Sequence, residues 1–353
     1  MSFRIAINGY GRIGRCILRA FYESSFGHPV DDEKPHVNNY ADLRIVAIND
    51  LADLENLTHL TKFDSTHGRF LGEVKTQGNS LIINKDEISI SQIEHVKDSQ
   101  WKKLNVDLVL ECSGTFGDRL SAEQHLKNGA RAVLLSQPGD SNVDATIVYG
   151  INDSDLKSNH KIVSCASCTT NCVVPVLYTL DKAFGIDAGI IDTIHSAMND
   201  QPVIDSYHGK DLRKTRSAMH SMIPVGTALA KGIDRILPNL SGRLEARAIR
   251  VPTVNVSAMQ LTITLNSQVD VNIINTALEE ASHKLPSNVL GVTREPLASC
   301  DFNHDPRSVI VDLNQTLVVQ KKVVSLFLWF DNEWAYANRM LDVAQALMDR
   351  KVQ

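Results

Sequence analysis

Residues 4–25, RIAINGYGRIGRCILRAFYESS, decide the first domain. An apolar run of strand length ends at Gly9-Tyr10-Gly11 and gives way to apolar residues at helical spacing, Ile13, Ile17, Leu18 and Phe21. Gly9, Gly11 and Gly14 form G-x-G-x-x-G between the two. There, glycines let the backbone approach a pyrophosphate and place that anion at a helix N-terminus, where free N–H groups and the helix dipole favour it. The same fingerprint expects an acidic residue at the end of the second strand, to accept hydrogen bonds from ribose hydroxyls, and LRIVAIND supplies Asp50. The polar stretch GHPVDDEKPHVNNYAD, residues 27–42, reads as an inserted loop that lengthens the interval to Asp50. A carboxylate at that point repels a 2′-phosphate, so the expected cofactor is NAD rather than NADP.

Working outward, DLVLECSG (107–114), RAVLLSQP (131–138), ATIVYGI (145–151) and HKIVSC (160–165) read as further strands, with a helix-like SAEQHLKNGA (121–130) among them. Strands alternating with helices predict an α/β fold, a Rossmann-type doubly wound parallel sheet with helices on both faces. Ligands of such sheets bind at the carboxyl ends of the strands.

The chain has 353 residues, enough for two domains. Apolar residues at 43% and charged residues at 22% match an ordinary globular protein, with no internal repeat. A net charge of -5 argues against a nucleic-acid binder, since phosphate-backbone affinity needs a basic face. Local basicity is different: Lys210, Arg213, Lys214 and Arg216, followed by Arg243, Arg247 and Arg250, can hold a small anion or form a solvated face. The N-terminus opens on FRIAIN without a basic segment and apolar run, and the apolar VVSLFLWF (323–330) is too short to span a bilayer. The expectation is a cytoplasmic protein without membrane contact, in a compartment that keeps thiols reduced.

SCASCTTNC, residues 164–172, packs three of the six cysteines together. Metal ligands, a disulfide, or one nucleophile with incidental neighbours all remain readings. A metal site needs a fourth ligand, which the neighbourhood does not offer, so no metal is expected. CTTNCVVPVLYTLDKAF (168–184) reads as a helix start with Cys168 in its first turn. That location favours a thiolate, the species that attacks carbonyls. Cys168 is therefore the candidate nucleophile, held ionised. Cys172, one turn on, reads as core. Of the twelve histidines, His195 is the best placed base, where strand-like GIIDTIHS gives way to a polar loop; position alone does not settle it.

Taken together, INGYGRIGR (7–15), ASCTTNC (166–172), DTIHSAM (192–198), IRVPTVNV (249–256) and WFDNEWAYANR (329–339) resemble the glyceraldehyde-3-phosphate dehydrogenase family. HSAMNDQ (195–201), DATIVYGIN (144–152) and DFNHDPRS (301–308) are more similar to its erythrose-4-phosphate dehydrogenase branch than to the glycolytic one. The resemblance implies Cys168 as nucleophile and His195 as its base. It implies Arg12 and Ile13 at the pyrophosphate and Asn332 at the nicotinamide carboxamide. Ser167, Thr169, Lys214, Thr227 and Arg250 would surround a small phosphorylated aldose. It further implies a homotetramer in which the loop at 197–220 approaches a neighbouring subunit's cofactor. An NAD-binding domain at 1–167, with a C-terminal helix at 332–353 packing back on it, would join an α+β catalytic domain at 168–331 with a mainly antiparallel sheet.

Two departures from the glycolytic pattern follow from the same comparison. Met198 stands where that branch has a threonine, and Lys214 where it has an arginine, so phosphate is held differently. The implied reaction is oxidation of erythrose 4-phosphate to 4-phosphoerythronate, with water releasing the product, a step that feeds pyridoxal phosphate synthesis in relatives. The alternatives are a phosphorylating glyceraldehyde-3-phosphate dehydrogenase and a nucleotide-binding thiol sensor.

Overall fold

The computed structural model describes residues 2–24 and 40–352. The chain divides into two compact units, Met1–Ser167 with Tyr336–Gln353, and Cys168–Ala335. The expected inserted loop lies almost wholly outside the described residues. No described helix is long and apolar enough to cross a membrane.

The strands of the first unit are β1 (Phe3–Asn8), β2 (Leu43–Asn49), β3 (Phe63–Asp64), β4 (Gly68–Arg69), β5 (Val74–Gln77), β6 (Ser80–Ile83), β7 (Asp86–Ser91), β8 (Leu108–Glu111), β9 (Ala132–Leu135), β10 (Ala145–Thr146) and β11 (Ile162–Ser164). Its sheet runs β10-β11-β9-β8-β1-β2-β7-β6-β5. From β10 to β7 every pairing is parallel, and β6 and β5 continue it antiparallel. β8 and β9 are buried along their whole length, as parallel strands covered on both faces must be. ATIVYGI contributes less strand than its sequence predicts. Only Ala145 and Thr146 pair, and the chain then turns, with the Asn152 side chain accepting from Val148 N–H and donating to the Thr146 carbonyl.

Helices α1 (Arg12–Glu23), α2 (Leu54–Lys62) and α3 (Arg119–Lys127) follow β1, β2 and β8. Asp53 and Asp118 cap α2 and α3, each carboxylate accepting a backbone N–H three residues on. α1 differs. Its N-cap is Gly11, with no side-chain cap and no acidic residue in the first turn.

The second unit holds α4 (Cys168–Phe184), β12 (Ile186–Ser196), β13 (Ile223–Val225), α5 (Leu229–Ile236), β14 (Leu244–Val251), β15 (Ser257–Leu265), α6 (Val271–Lys284), β16 (Leu290–Thr293), β17 (Val309–Val319) and β18 (Val323–Phe330), and the start of α7 (Trp334–Val352). Its sheet order is β13-β14-β12-β15-β18-β17-β16. β12–β14 and β16–β17 are parallel and the other pairings antiparallel, so the sheet is mixed. α4 lays Val173, Val176, Leu177 and Leu180, all fully buried, across β12, β15, β17 and β18. Burying four such side chains contributes on the order of 6–12 kcal/mol before entropy, which fixes the helix on the sheet and its first residue in space.

Candidate active site

In the first unit the three glycines have separate reasons. Gly9 has φ +89, and an added Cβ would lie 2.4 Å from the Ser113 nitrogen. At Gly14 a Cβ would meet the Gly9 carbonyl oxygen at 2.3 Å, so β1 and α1 can approach this closely only without a side chain. Over Gly11 an added Cβ meets no protein atom within 4 Å. The uncapped α1 N-terminus thus faces open space, and its first-turn N–H groups, which a helix leaves without intrahelical acceptors, suit a pyrophosphate. Asp50 Oδ2 accepts from Tyr10 N–H at 2.6 Å and Oδ1 from Ala52 N–H at 2.9 Å, tying the glycine loop to the end of β2. Each oxygen keeps a second lone pair, as a ribose hydroxyl requires. Arg12 pairs with Asp64. Burial alone would raise that carboxyl, but the His67 and Thr66 amides and the guanidinium hold it well below the usual carboxylate range. Ile13, beside Arg12 in the first turn of α1, is partly exposed.

In the second unit Cys168 opens α4 and His195 lies near the end of β12, on the buried face with Ile191 and Thr193. Their facing atoms, Sγ and Nε2, are 3.8 Å apart. His195 Nδ1 is 2.8 Å from the Ser196 carbonyl oxygen, which can only accept, so the proton sits on Nδ1. Nε2 therefore presents a lone pair to the sulfur. Phe330 packs edge-on to the imidazole with ring centres 6.3 Å apart, fixing the ring plane.

The charge state differs from the sequence expectation. Burial pushes the Cys168 thiol up to about 11. The Arg250 guanidinium and the N–H groups of Thr169 and Cys168 pull it back without overcoming burial. The helix terminus is present, but the sulfur is also desolvated, so it rests as a thiol rather than a thiolate. Burial, with Arg250 second, lowers His195 to about 4. A neutral thiol thus faces a neutral nitrogen placed to take its proton. Cys172 and Cys165 are fully buried with their thiols pushed up by burial, so neither serves as a nucleophile.

Arg250 is next to His195 in register, on the adjacent parallel strand β14. It is the least satisfied group here. Its Nε and Nη1 are shielded from solvent without a hydrogen-bond partner among the described residues, and burial pushes even this guanidinium below its ordinary value. A half-buried guanidinium with two N–H groups unbonded, and the Asp200 carboxylate acting on it only through space, suits an anion. Lys214 is already engaged, its Nζ 2.5 Å from Asp200 Oδ2. Ser167 and Thr169 flank the sulfur in sequence and are partly exposed. Thr227 is exposed, and its hydroxyl accepts from Leu229 N–H at 3.2 Å at the start of α5.

Asn332 Oδ1 accepts from the Ser196 and Ser257 hydroxyls at 3.0 and 2.8 Å, and its Nδ2 carries no hydrogen bond among the described residues. A fixed amide with a free donor suits a carboxamide oxygen. Sequence reading missed the two serines that hold it. Their signal was a hydroxyl at a fully buried strand position, Ser196 at 0% and Ser257 at 1% exposure. It also missed two backbone outliers, Ala166 (φ 54) two residues before Cys168 and β-branched Val256 (φ 62) just before Ser257. Each left-handed non-glycine residue costs roughly 1–3 kcal/mol, and such positions gather at functional sites.

Residues 3–119 match the glyceraldehyde 3-phosphate dehydrogenase NAD binding domain and residues 167–332 match the glyceraldehyde 3-phosphate dehydrogenase C-terminal domain, together well over half of the chain. The chain belongs to the glyceraldehyde-3-phosphate dehydrogenase family. It is an NAD-dependent dehydrogenase of that family, and the glycine cradle and open α1 terminus agree with its cofactor. The thiol–imidazole pair falls within the match to the family's C-terminal domain.

Proposed function

We propose that this chain oxidises erythrose 4-phosphate to 4-phosphoerythronate through a Cys168 thiohemiacetal and thioester, with water releasing the acid. What carries the reading is the anion site. Arg250's unpartnered guanidinium acts on both Cys168 and His195. Met198 is 46% exposed, offering no hydroxyl where the glycolytic branch has a threonine, and Lys214 is neutralised by Asp200. One strong cation, with no hydroxyl at position 198, suits the phosphate at the far end of a substrate better than tight capture of free phosphate.

Attack forms the S–C bond while the Cys168 proton passes toward His195 Nε2. The oxyanion collects that proton and becomes the thiohemiacetal hydroxyl. NAD, which the Gly9–Gly14 loop and Asp50 would hold, would supply the hydride acceptor for that carbon. His195 Nε2 takes the hydroxyl proton as the C=O bond forms, leaving an acyl thioester on Sγ. That proton leaves to solvent, and water then gives one of its own to the freed nitrogen as it attacks the thioester carbon. The C–S bond breaks, and the sulfur recovers a proton. One base atom serves each proton transfer, which is why the fixed Nδ1 tautomer matters.

NADH formation should be faster with erythrose 4-phosphate than with glyceraldehyde 3-phosphate and should not need inorganic phosphate. Strong preference for the triose with absolute phosphate dependence would establish the phosphorylating reaction instead. Arg250→Leu should lower kcat/KM for the phosphorylated aldose about 10²-fold, by removing a charge-assisted pair to phosphate. With an unphosphorylated aldehyde of the same length the change should be only several-fold; equal losses would remove Arg250 from the phosphate site.

We propose a homotetramer as the working form. Val203, Ile204, Tyr207 and Leu212 are each at least 75% exposed in one segment, an apolar surface that assembly would cover.

A further inference from the structure

The carboxyl ends of four parallel strands in the nucleotide unit carry one row of polar residues. In register, Glu111 of β8 lies beside Asn8 of β1, Asn8 beside Asn49 of β2, and Asn49 beside Ser91 of β7. Glu111, Asn8 and Asn49 are buried, at 1, 4 and 7% exposure. A polar row this deep is costly unless every group is satisfied.

Backbone groups set its polarity. Ile93 N–H donates to Asn49 Oδ1 and the Ile93 carbonyl accepts from Asn49 Nδ2, which fixes that amide. Asn49 Nδ2 then donates to Asn8 Oδ1, so Asn8 must turn its own Nδ2 to Glu111 Oε2, at 2.6 Å. From the other side, Trp101 Nε1–H donates to His125 Nδ1 at 2.9 Å. The ring must carry its proton on Nε2, which faces Glu111 Oε2 at 2.9 Å. Glu111 Oε1 accepts from the Ser113 N–H and hydroxyl. Four donors converge on one side chain, so only an ionised carboxylate satisfies them all.

The chain positions held this way are those of the cofactor site. Asn8 precedes Gly9, Asn49 precedes Asp50, and Ser113 presents the nitrogen against which Gly9 is pressed. We propose that Glu111 is a positioning residue for NAD: its carboxylate locks the ends of β1, β2 and β8 so that the Gly9–Gly11 loop and Asp50 stand preformed for the dinucleotide.

Glu111→Gln keeps the shape but turns an NH₂ toward Asn8 Nδ2 and His125 Nε2–H, two donor–donor contacts. Adding Asn8→Asp supplies an acceptor and removes one of them. NAD affinity measured by calorimetry should fall about tenfold or more in Glu111→Gln. The iodoacetamide rate at Cys168 without cofactor should stay within about twofold, and kcat at saturating NAD within about threefold, since the thiol site is untouched. The double variant should recover at least about threefold of the lost affinity, or recover folding if Glu111→Gln does not fold. Wild-type affinity in Glu111→Gln, a parallel drop in Cys168 reactivity, or a double variant no better than the single would overturn the proposal.

Discussion

Cys168→Ser is expected to lower NADH formation by about 10³-fold or more, while Cys172→Ser stays within several-fold of the parent. The sulfur of Cys168 is 3.8 Å from a base nitrogen that carries no proton, at the first residue of a helix with no acidic side chain in its first turn. Proton transfer there leaves a thiolate stabilised by helix N–H groups and Arg250. Serine keeps the geometry, but its hydroxyl is a far weaker acid than a thiol, and no base of ordinary strength ionises it in a desolvated site. Cys172 lies one turn deeper with no exposure, and nothing near it offsets the burial that holds its thiol protonated. Steady-state rates should be paired with iodoacetamide labelling, which should mark Cys168 alone of the two. Equal loss of activity in both variants would mean that the cluster works as a redox or metal unit rather than through one nucleophile.

Much of this was legible in the sequence because the responsible signals are local. G-x-G-x-x-G after a buried strand specifies turn, helix start and anion site within a dozen residues. An apolar face at helical spacing from Val173 to Leu180 specifies α4 and therefore where Cys168 must sit. What was not legible is set by residues far apart in the chain. The proton state of Cys168 depends on how completely the fold removes water from it, and desolvation outweighs the helix terminus that sequence reading stressed. The fixed amide of Asn332 needs hydroxyls from Ser196 and Ser257, separated from it by 136 and 75 residues. Similarly, Glu111 looks like any acidic residue ending a strand, and only the fold shows the donors of Asn8, His125 and Ser113 meeting on its side chain. Short motifs encode the candidate reacting groups, whereas long-range packing sets their protonation and orientation.

His195→Gln should lower kcat by about 10²- to 10⁴-fold, the usual range for removing a positioned general base, with a smaller change in the KM for NAD. The same variant tests the charge state by a route independent of turnover. In the folded chain burial keeps the imidazole neutral down to about pH 4, whereas in the unfolded chain it takes a proton near 6.5. Between those values the unfolded state binds more protons, so lowering the pH through this window destabilises the fold. Integrated from pH 7.5 to pH 5, this single group should cost the parent protein about 2 kcal/mol that His195→Gln does not lose. Urea unfolding of both proteins at the two pH values measures the difference directly. A loss of the same size in parent and variant would mean that the imidazole is not held neutral in the fold. The Nδ1 proton could then no longer be assigned from the single contact to the Ser196 carbonyl, and a resting thiolate–imidazolium pair would become the better description of the nucleophile. A kinetic defect together with the missing acid sensitivity would instead place one neutral ring in both roles, because the burial that makes Nε2 a proton acceptor during turnover is the same burial that the acid titration reads.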